Sequence, residues 1–167
     1  MQVPYRKPGK FSSQLQDPNV SELKYSEMAE KVDRLKKRRP ALAAEVARLA
    51  ELGDFSENAE YQLAKGRLRG LNNEILRLES LLNRAVIIKP VQGSKVIQLG
   101  SIVTVEREGR QKIFHILGPS ETNPGGGVIS HQSPLGQALL GHRTGEIVRV
   151  KIAERESKYK IILVENE

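Results

Sequence analysis

The sequence predicts an α+β protein: an N-terminal antiparallel coiled-coil helical hairpin followed by a small antiparallel β domain with a short helix. Three observations predict it. Apolar residues recur at alternating spacings of four and three before Pro90, and the pattern changes to alternation after it. Aromatic residues make up only 4% of the chain, with no Trp, and paired helices do without the large rings that fill globular interiors. A hydrophobic content of 38% is low for one compact core in 167 residues, so part of the chain is expected to be extended.

Residues 1–20 carry Pro4, Pro8, Gly9 and Pro18 among polar residues, a composition that predicts a flexible N-terminal arm without regular structure. The hairpin is expected over 21–88, with an acidic tip at 53–57. Its first seam is Met28, Val32, Leu35, Arg39, Leu42, Val46 and Leu49, a heptad pattern with one charged interruption. The second is Ala64, Leu68, Leu71, Ile75, Leu78, Leu82 and Ala85. Each seam needs a partner, and the nearest is the other. Gly53 suits the end of the first helix, where a left-handed cap costs no Cβ clash, and Asp54 suits the cap of the next. Arms of some thirty residues give a rod of roughly 45 Å at about 1.5 Å per residue. Pro40 removes a backbone hydrogen bond inside the first helix, so a bend is expected there.

A C-terminal domain is expected over 91–167. KVIQLG, SIVTVERE, QKIFHIL, GGVISHQ, GEIVRVKI and KYKIILVE alternate apolar and polar residues between glycines and polar turns, which predicts five or six short antiparallel strands. SPLGQALLG has a capping serine, a proline in the first turn and an apolar run, the signature of a short helix.

The chain has no cysteine, so a disulfide framework and thiolate zinc sites are excluded. No uninterrupted apolar run is long enough to cross a bilayer, and a cytoplasmic protein without a membrane partner is expected. The net charge of +7 favours an anionic partner, because a positive field raises the local concentration of nucleic acid or an acidic protein surface. Lys36, Lys37, Arg38 and Arg39 form one block, and Lys65, Arg67 and Arg69 a second beyond the tip segment. Charge pattern alone serves a solvated helix face equally well.

Asp54 and Glu57, three apart in GDFSENAEY, are the acids of interest. As N-cap and third helical residue they form a capping-box arrangement, and both carboxylates favour the positive helix end. They also form half a metal site. Mg²⁺ takes about six oxygens and binds one or two protein carboxylates weakly unless other ligands arrive. In two-metal phosphoryl chemistry, with ions about 4 Å apart, a thin rod carrying two carboxylates could complete another enzyme's centre. His115, His131 and His142 lack ligand spacing, no serine has a nucleophile motif, and GPSETNPGGG lacks the Gly-Lys-Ser/Thr of a phosphate loop.

GDFSENAEYQLAK after RRPALAAEVARLAEL resembles the hairpin of the bacterial Gre transcript cleavage factors, the GreA/GreB family. ILGPSE and ISHQSPLGQALLGHRTGEIVRV resemble the C-terminal domain of that family, so the likeness runs from about residue 22 to the end. It implies an FKBP-like C-terminal domain that binds RNA polymerase near the rim of its secondary channel. The hairpin enters that channel when polymerase has backtracked and the RNA 3′ end is extruded. Tip carboxylates then help hold the second Mg²⁺ and the attacking water, and polymerase itself cuts the RNA. By position the resemblance gives that role to Asp54 and Glu57, with Ser56, Asn58 and Tyr61 supporting them. Lys36, Lys37, Arg38, Arg39, Lys65, Arg67 and Arg69 are then expected to contact RNA phosphates or polymerase.

Ser133 and Pro134 match the family's polymerase-docking motif, in which Gln132 replaces an acidic or amide residue of shorter reach. No tightly bound cofactor is expected, only Mg²⁺ shared with polymerase, and the factor is expected to be a monomer. KGRLRGLNNEI and ILGPSE lean towards the GreB type without assigning it. Rival readings are an independent Mg²⁺-dependent ribonuclease, for which the ligands are too few, and a channel-binding regulator in which the acids only cap a helix. An FKBP-like fold also raises prolyl isomerase activity, for which so few rings suggest no aromatic-lined pocket.

Overall fold

The structure, a computed structural model, describes residues 17–51, 59–152 and 155–166. Two long helices form the N-terminal part, α1 over Glu22–Glu51 and α2 over Ala59–Arg84. Their inner faces are the predicted seams. Met28, Val32 and Leu49 of α1 and Ala64, Leu71, Ile75 and Leu78 of α2 are buried, while Leu35, Leu42, Val46, Leu68, Leu82 and Ala85 are half-buried. Arg39, the charged interruption, stays exposed. Ion pairs cross between the helices, Lys31 to Glu74 at 2.8 Å, Lys36 to Glu79 at 2.7 Å and Arg67 to Glu45 at 4.0 Å. Helix α1 continues through the exposed Pro40, so the hydrogen bond lost at the proline does not end it.

The end of the predicted arm is not structureless. Asn19–Val20 form a short strand, β1, parallel to β2 at Val86–Ile87. Burial recruits it: Val20 is 5% exposed and joins Met28, Val32 and Leu78 in a core at the hairpin base, packed by Tyr25, Leu81 and Leu82. An isolated apolar residue among prolines carries no period, so local pattern could not place it.

The C-terminal part is a five-stranded sheet in the order β5-β4-β3-β7-β6, formed by β3 Ile102–Arg107, β4 Arg110–Leu117, β5 Val128–Ser130, β6 Ile147–Ile152 and β7 Arg155–Glu165. β3 and β4 are joined by Glu108 and Gly109 at φ of 52° and 75°, the two positive angles a tight hairpin turn of this twist needs. Val103, Val105, Ile116, Val148, Val150, Tyr159 and Ile161 line one buried face. The short helix α3, Pro134–Leu139, brings Leu135, Ala138 and Leu139 against it.

Two expectations about the sheet are corrected. It is mixed, because β5 pairs parallel to β4 through His115–Val128 and Leu117–Ser130. A parallel return normally needs a long crossover, but β5 has only three residues. Two 3-10 turns, Pro119–Glu121 and Pro124–Gly126, cover the short way back. KVIQLG forms no strand beyond a single bridge from Val96 to Arg143. Ile97 is 1% exposed, yet its backbone N–H donates to His142 O and its carbonyl accepts from Gly141 N–H, both at 2.8 Å. The segment is buried against a loop rather than added to the sheet.

Candidate functional site

Helix α1 ends at Glu51 and α2 begins at Ala59, so seven residues join them at the far end of the hairpin from the sheet. Asp54, Ser56, Glu57 and Asn58 belong to that segment and lie outside the described residues, as does the expected cap at Gly53. Tyr61 is half-buried in the first turn of α2, with Lys65 Nζ 5.7 Å from the centre of its ring. Among the described residues no group of three His, Asp or Glu side chains could hold a metal ion, and no helix is long and apolar enough to cross a membrane.

The basic residues expected to work together divide by direction. Lys36, Lys37, Arg38 and Arg39 are all exposed, but at 3.6 residues per turn four consecutive positions spread over about 300° of helix surface. No single surface gathers all four. Lys36 is held across the hairpin by Glu79 at 2.7 Å, leaving Lys37, Arg38 and Arg39 without an ion pair among the described residues. On α2, Lys65 and Arg69 are four apart and share a face. Arg67 turns towards Glu45.

Gln132 and Ser133 lie in the turn between β5 and α3, and Pro134 opens α3; the turn is locked by its own hydrogen bonds. Ser133 Oγ donates to Ser130 O at 2.6 Å and accepts from Gly136 N–H at 3.0 Å, capping α3 as its serine predicts. Gln132 N–H donates to Ser130 Oγ at 3.0 Å, and His131 N–H donates to Leu117 O at 3.0 Å. Pro134 is exposed at the start of the helix. Gln132 and Pro134 are thus both exposed residues on a rigid base.

Sequence reasoning missed the residues that tie this turn to the hairpin. Asp17 Oδ2 accepts from Gln132 Nε2 at 2.6 Å and lies 3.1 Å from His131 Nε2. Ser21, at the start of α1, donates its backbone N–H and its hydroxyl to the two carboxylate oxygens of Glu121, at 2.7 and 2.5 Å. The partners are 115 and 100 residues apart, so neither pairing leaves a local pattern. A cleft at the β3–β4 turn was also unforeseen. Val105, Phe114 and Tyr159 line it together with the charged Arg107, Glu108, Arg110 and Lys112, around a volume of about 220 Å³. Arg107 Nη1 reaches Tyr159 Oη at 3.3 Å.

Two family models match the chain, one over each of its two parts. Residues 19–87 match the family model described as transcription elongation factor, N-terminal, and residues 92–166 match the one described as transcription elongation factor, GreA/GreB, C-terminal. Transcription elongation factor GreA of Thermomicrobium roseum is 39% identical over 133 residues, covering 78% of this chain and 85% of the relative. GreA of Treponema pallidum is 36% identical over 137 residues, covering 79% and 83%. These relatives carry the GreA name, whereas KGRLRGLNNEI and ILGPSE leaned towards GreB. Among solved structures, GreA factor homolog 1 of Thermus thermophilus is 26% identical and covers 90% of this chain and 100% of its own, with a TM-score of 0.41. The chain belongs to the GreA/GreB family of transcription elongation factors.

Proposed function

We propose that this protein binds RNA polymerase, inserts its hairpin into the secondary channel and stimulates the polymerase's own cleavage of backtracked RNA. The observation that carries the proposal is the hairpin itself: two antiparallel helices of 30 and 26 residues, joined at the far end by a segment that bears Asp54 and Glu57. At 1.5 Å per residue it is a rod of about 45 Å, a form suited to delivering side chains into a site within another molecule.

The donor set fits a shared metal rather than a resident one. Two carboxylates three residues apart are too few to keep Mg²⁺ but enough to add to ligands that polymerase supplies. In that role Asp54 and Glu57 would contribute negative oxygens to a Mg²⁺ that polarises water and steadies charge on phosphate. The protein is then no enzyme by itself. Lys37, Arg38 and Arg39, with Lys65 and Arg69, hold the extruded RNA 3′ segment through its phosphates, without reading sequence. Gln132, Ser133 and Pro134 dock the C-terminal part on polymerase, one factor molecule per enzyme.

The test is RNA cleavage in stalled, backtracked complexes with Mg²⁺, comparing the protein with its Asp54→Asn, Glu57→Gln double variant. The amides keep much of the helix-cap hydrogen bonding and lose the charge a metal requires. Acceleration by the unaltered protein alone is expected. Equal acceleration by both would reduce the acids to caps, and cleavage of naked RNA without polymerase would make the protein a nuclease in its own right.

A further inference from the structure

We propose that Asp17 is a positioning residue: by bridging the hairpin base to Gln132 and His131, its carboxylate sets the direction of the hairpin relative to the Ser130–Pro134 turn. For its effect on cleavage the inference rests on the function proposed above, and for its geometry it does not.

Asp17 belongs structurally to the hairpin. The carbonyl of the next residue, Pro18, accepts from Val86 N–H at 2.8 Å, and Asn19–Val20 pair with Val86–Ile87 just past the end of α2. The Asp17 carboxylate is turned to the same side, where Oδ1 accepts from Asn19 N–H at 2.9 Å and Asn19 Nδ2 at 2.8 Å. Its other oxygen serves the C-terminal part, taking Gln132 Nε2 at 2.6 Å with His131 Nε2 at 3.1 Å. One carboxylate therefore divides its two oxygens between two parts of the molecule. The side chain is only 8% exposed, so it is kept out of water, where a carboxylate persists only if its oxygens are satisfied.

A single attachment would let the rod pivot. The second is Ser21 with Glu121, and beside it the backbone closes up: a Cβ on Gly118 would lie 2.1 Å from Asn19 O. Attachments on both sides of β1 oppose rotation about either one. The need for such a brace follows from leverage, since a swing of about 5° at the base moves the end of a 45 Å rod by about 4 Å. Placement errors of about 1 Å can cost a catalytic group on the order of a hundredfold in rate. Gln132 accordingly has a role beyond the surface of its turn: its amide nitrogen faces inward, to the hairpin.

The test measures direction and activity separately. The chain has no cysteine, so Leu76→Cys on α2 and Lys158→Cys on β7, both exposed, accept two spin labels without competition. Pulsed electron resonance on the isolated protein then gives the distribution of distances between the two parts. Asp17→Ala is expected to widen that distribution at least twofold. Gln132→Ala, which breaks the bridge from the other side without touching the arm, is expected to widen it likewise. In backtracked complexes, Asp17→Ala should lower the maximal cleavage rate at saturating factor about tenfold. A distribution left unchanged by both variants would overturn the proposal. So would a loss confined to the half-saturating concentration, which would make Asp17 part of the docking surface alone. Failure of the unsubstituted protein to stimulate cleavage would refute the proposed function and leave the distance measurement standing.

Discussion

Ser21 and Glu121 are joined twice. The serine N–H and hydroxyl each donate to one carboxylate oxygen of Glu121, at 2.7 and 2.5 Å, and the serine Oγ also accepts from Lys24 N–H at 3.1 Å. The same hydroxyl therefore caps α1 and fastens it to the 3-10 turn beyond β4. Ser21→Ala removes the cap and leaves half of a carboxylate unpaired. We expect a loss of about 1–2 kcal/mol in urea denaturation followed by helical ellipticity, the range of a lost cap with one charge-assisted hydrogen bond.

Gly136 occupies the third position of α3, and a Cβ there would lie 2.2 Å from Ser130 O, the carbonyl that also accepts from Ser133 Oγ. Backbone must move to admit it. Gly136→Ala should destabilise the protein by about 1–3 kcal/mol, the usual cost of forcing atoms into a packed site. Alanine is otherwise the better helix former, so a stabilised variant in thermal melting would refute this close packing.

That glycine also shows where the sequence can be read and where it cannot. SPLGQALLG announces a helix because Ser133 and Pro134 act locally, on the first turn they belong to. The reason for Gly136 lies in a carbonyl of β5, and nothing near it in the chain reveals that. The seams from Met28 to Leu49 and from Ala64 to Ala85 were legible for the same local reason: a helix repeats its inward face every three or four residues. Ile97 misled because an apolar alternation looks alike whether its backbone meets a strand or, as here, the carbonyl of His142. The parallel pairing of β5 depends on a return path that strand-like residues do not encode. At the candidate site the basic blocks were plain as composition, but which cations remain available depends on Glu79 and Glu45 across the hairpin. Asp17 and Glu121 gave no sign at all, since their partners lie 115 and 100 residues away.

The division among the basic residues makes a prediction of its own. Arg38 and Arg39 are exposed without an ion pair among the described residues, whereas Lys36 is committed to Glu79. If the free pair meets RNA phosphates, Arg38→Ala with Arg39→Ala should flatten the dependence of log affinity for the backtracked complex on log salt by about 1.4, at about 0.7 per single-strand phosphate. Lys36→Ala should change that slope by less than half as much. Titration of factor against stalled complexes at several salt concentrations distinguishes the two, and equal slopes for both variants would contradict the assignment.

Glu74 is the most perturbed acid among the described residues, drawn from 4.5 down to about 2, first by its hydrogen bonds from Arg77 and then by the one from Lys31. Arg77 Nε and Nη2 each donate to it at 2.9 Å and Lys31 Nζ at 2.8 Å, so it joins a turn of α2 to α1. A carboxylate whose pKa is lower folded than unfolded contributes stability that is complete above the unfolded value and is lost as pH falls through the folded one. The contribution should therefore fade between pH 4.5 and about 2. Because the cluster is partly exposed, with 30% of the Glu74 side chain and 53% of Arg77 accessible, screening keeps it to about 1 kcal/mol or less. Carbon-detected NMR of the Glu74 carboxyl should give a midpoint near 2 at low salt, moving upward in 1 M salt as the Debye length shrinks to about 3 Å. Glu74→Gln should remove up to that amount of stability at pH 7 and make little difference at pH 2, where the parent carboxyl is about half protonated in the folded protein and almost wholly protonated in the unfolded chain. Equal losses at both pH values would mean that Glu74 stabilises the hairpin by packing and not by charge.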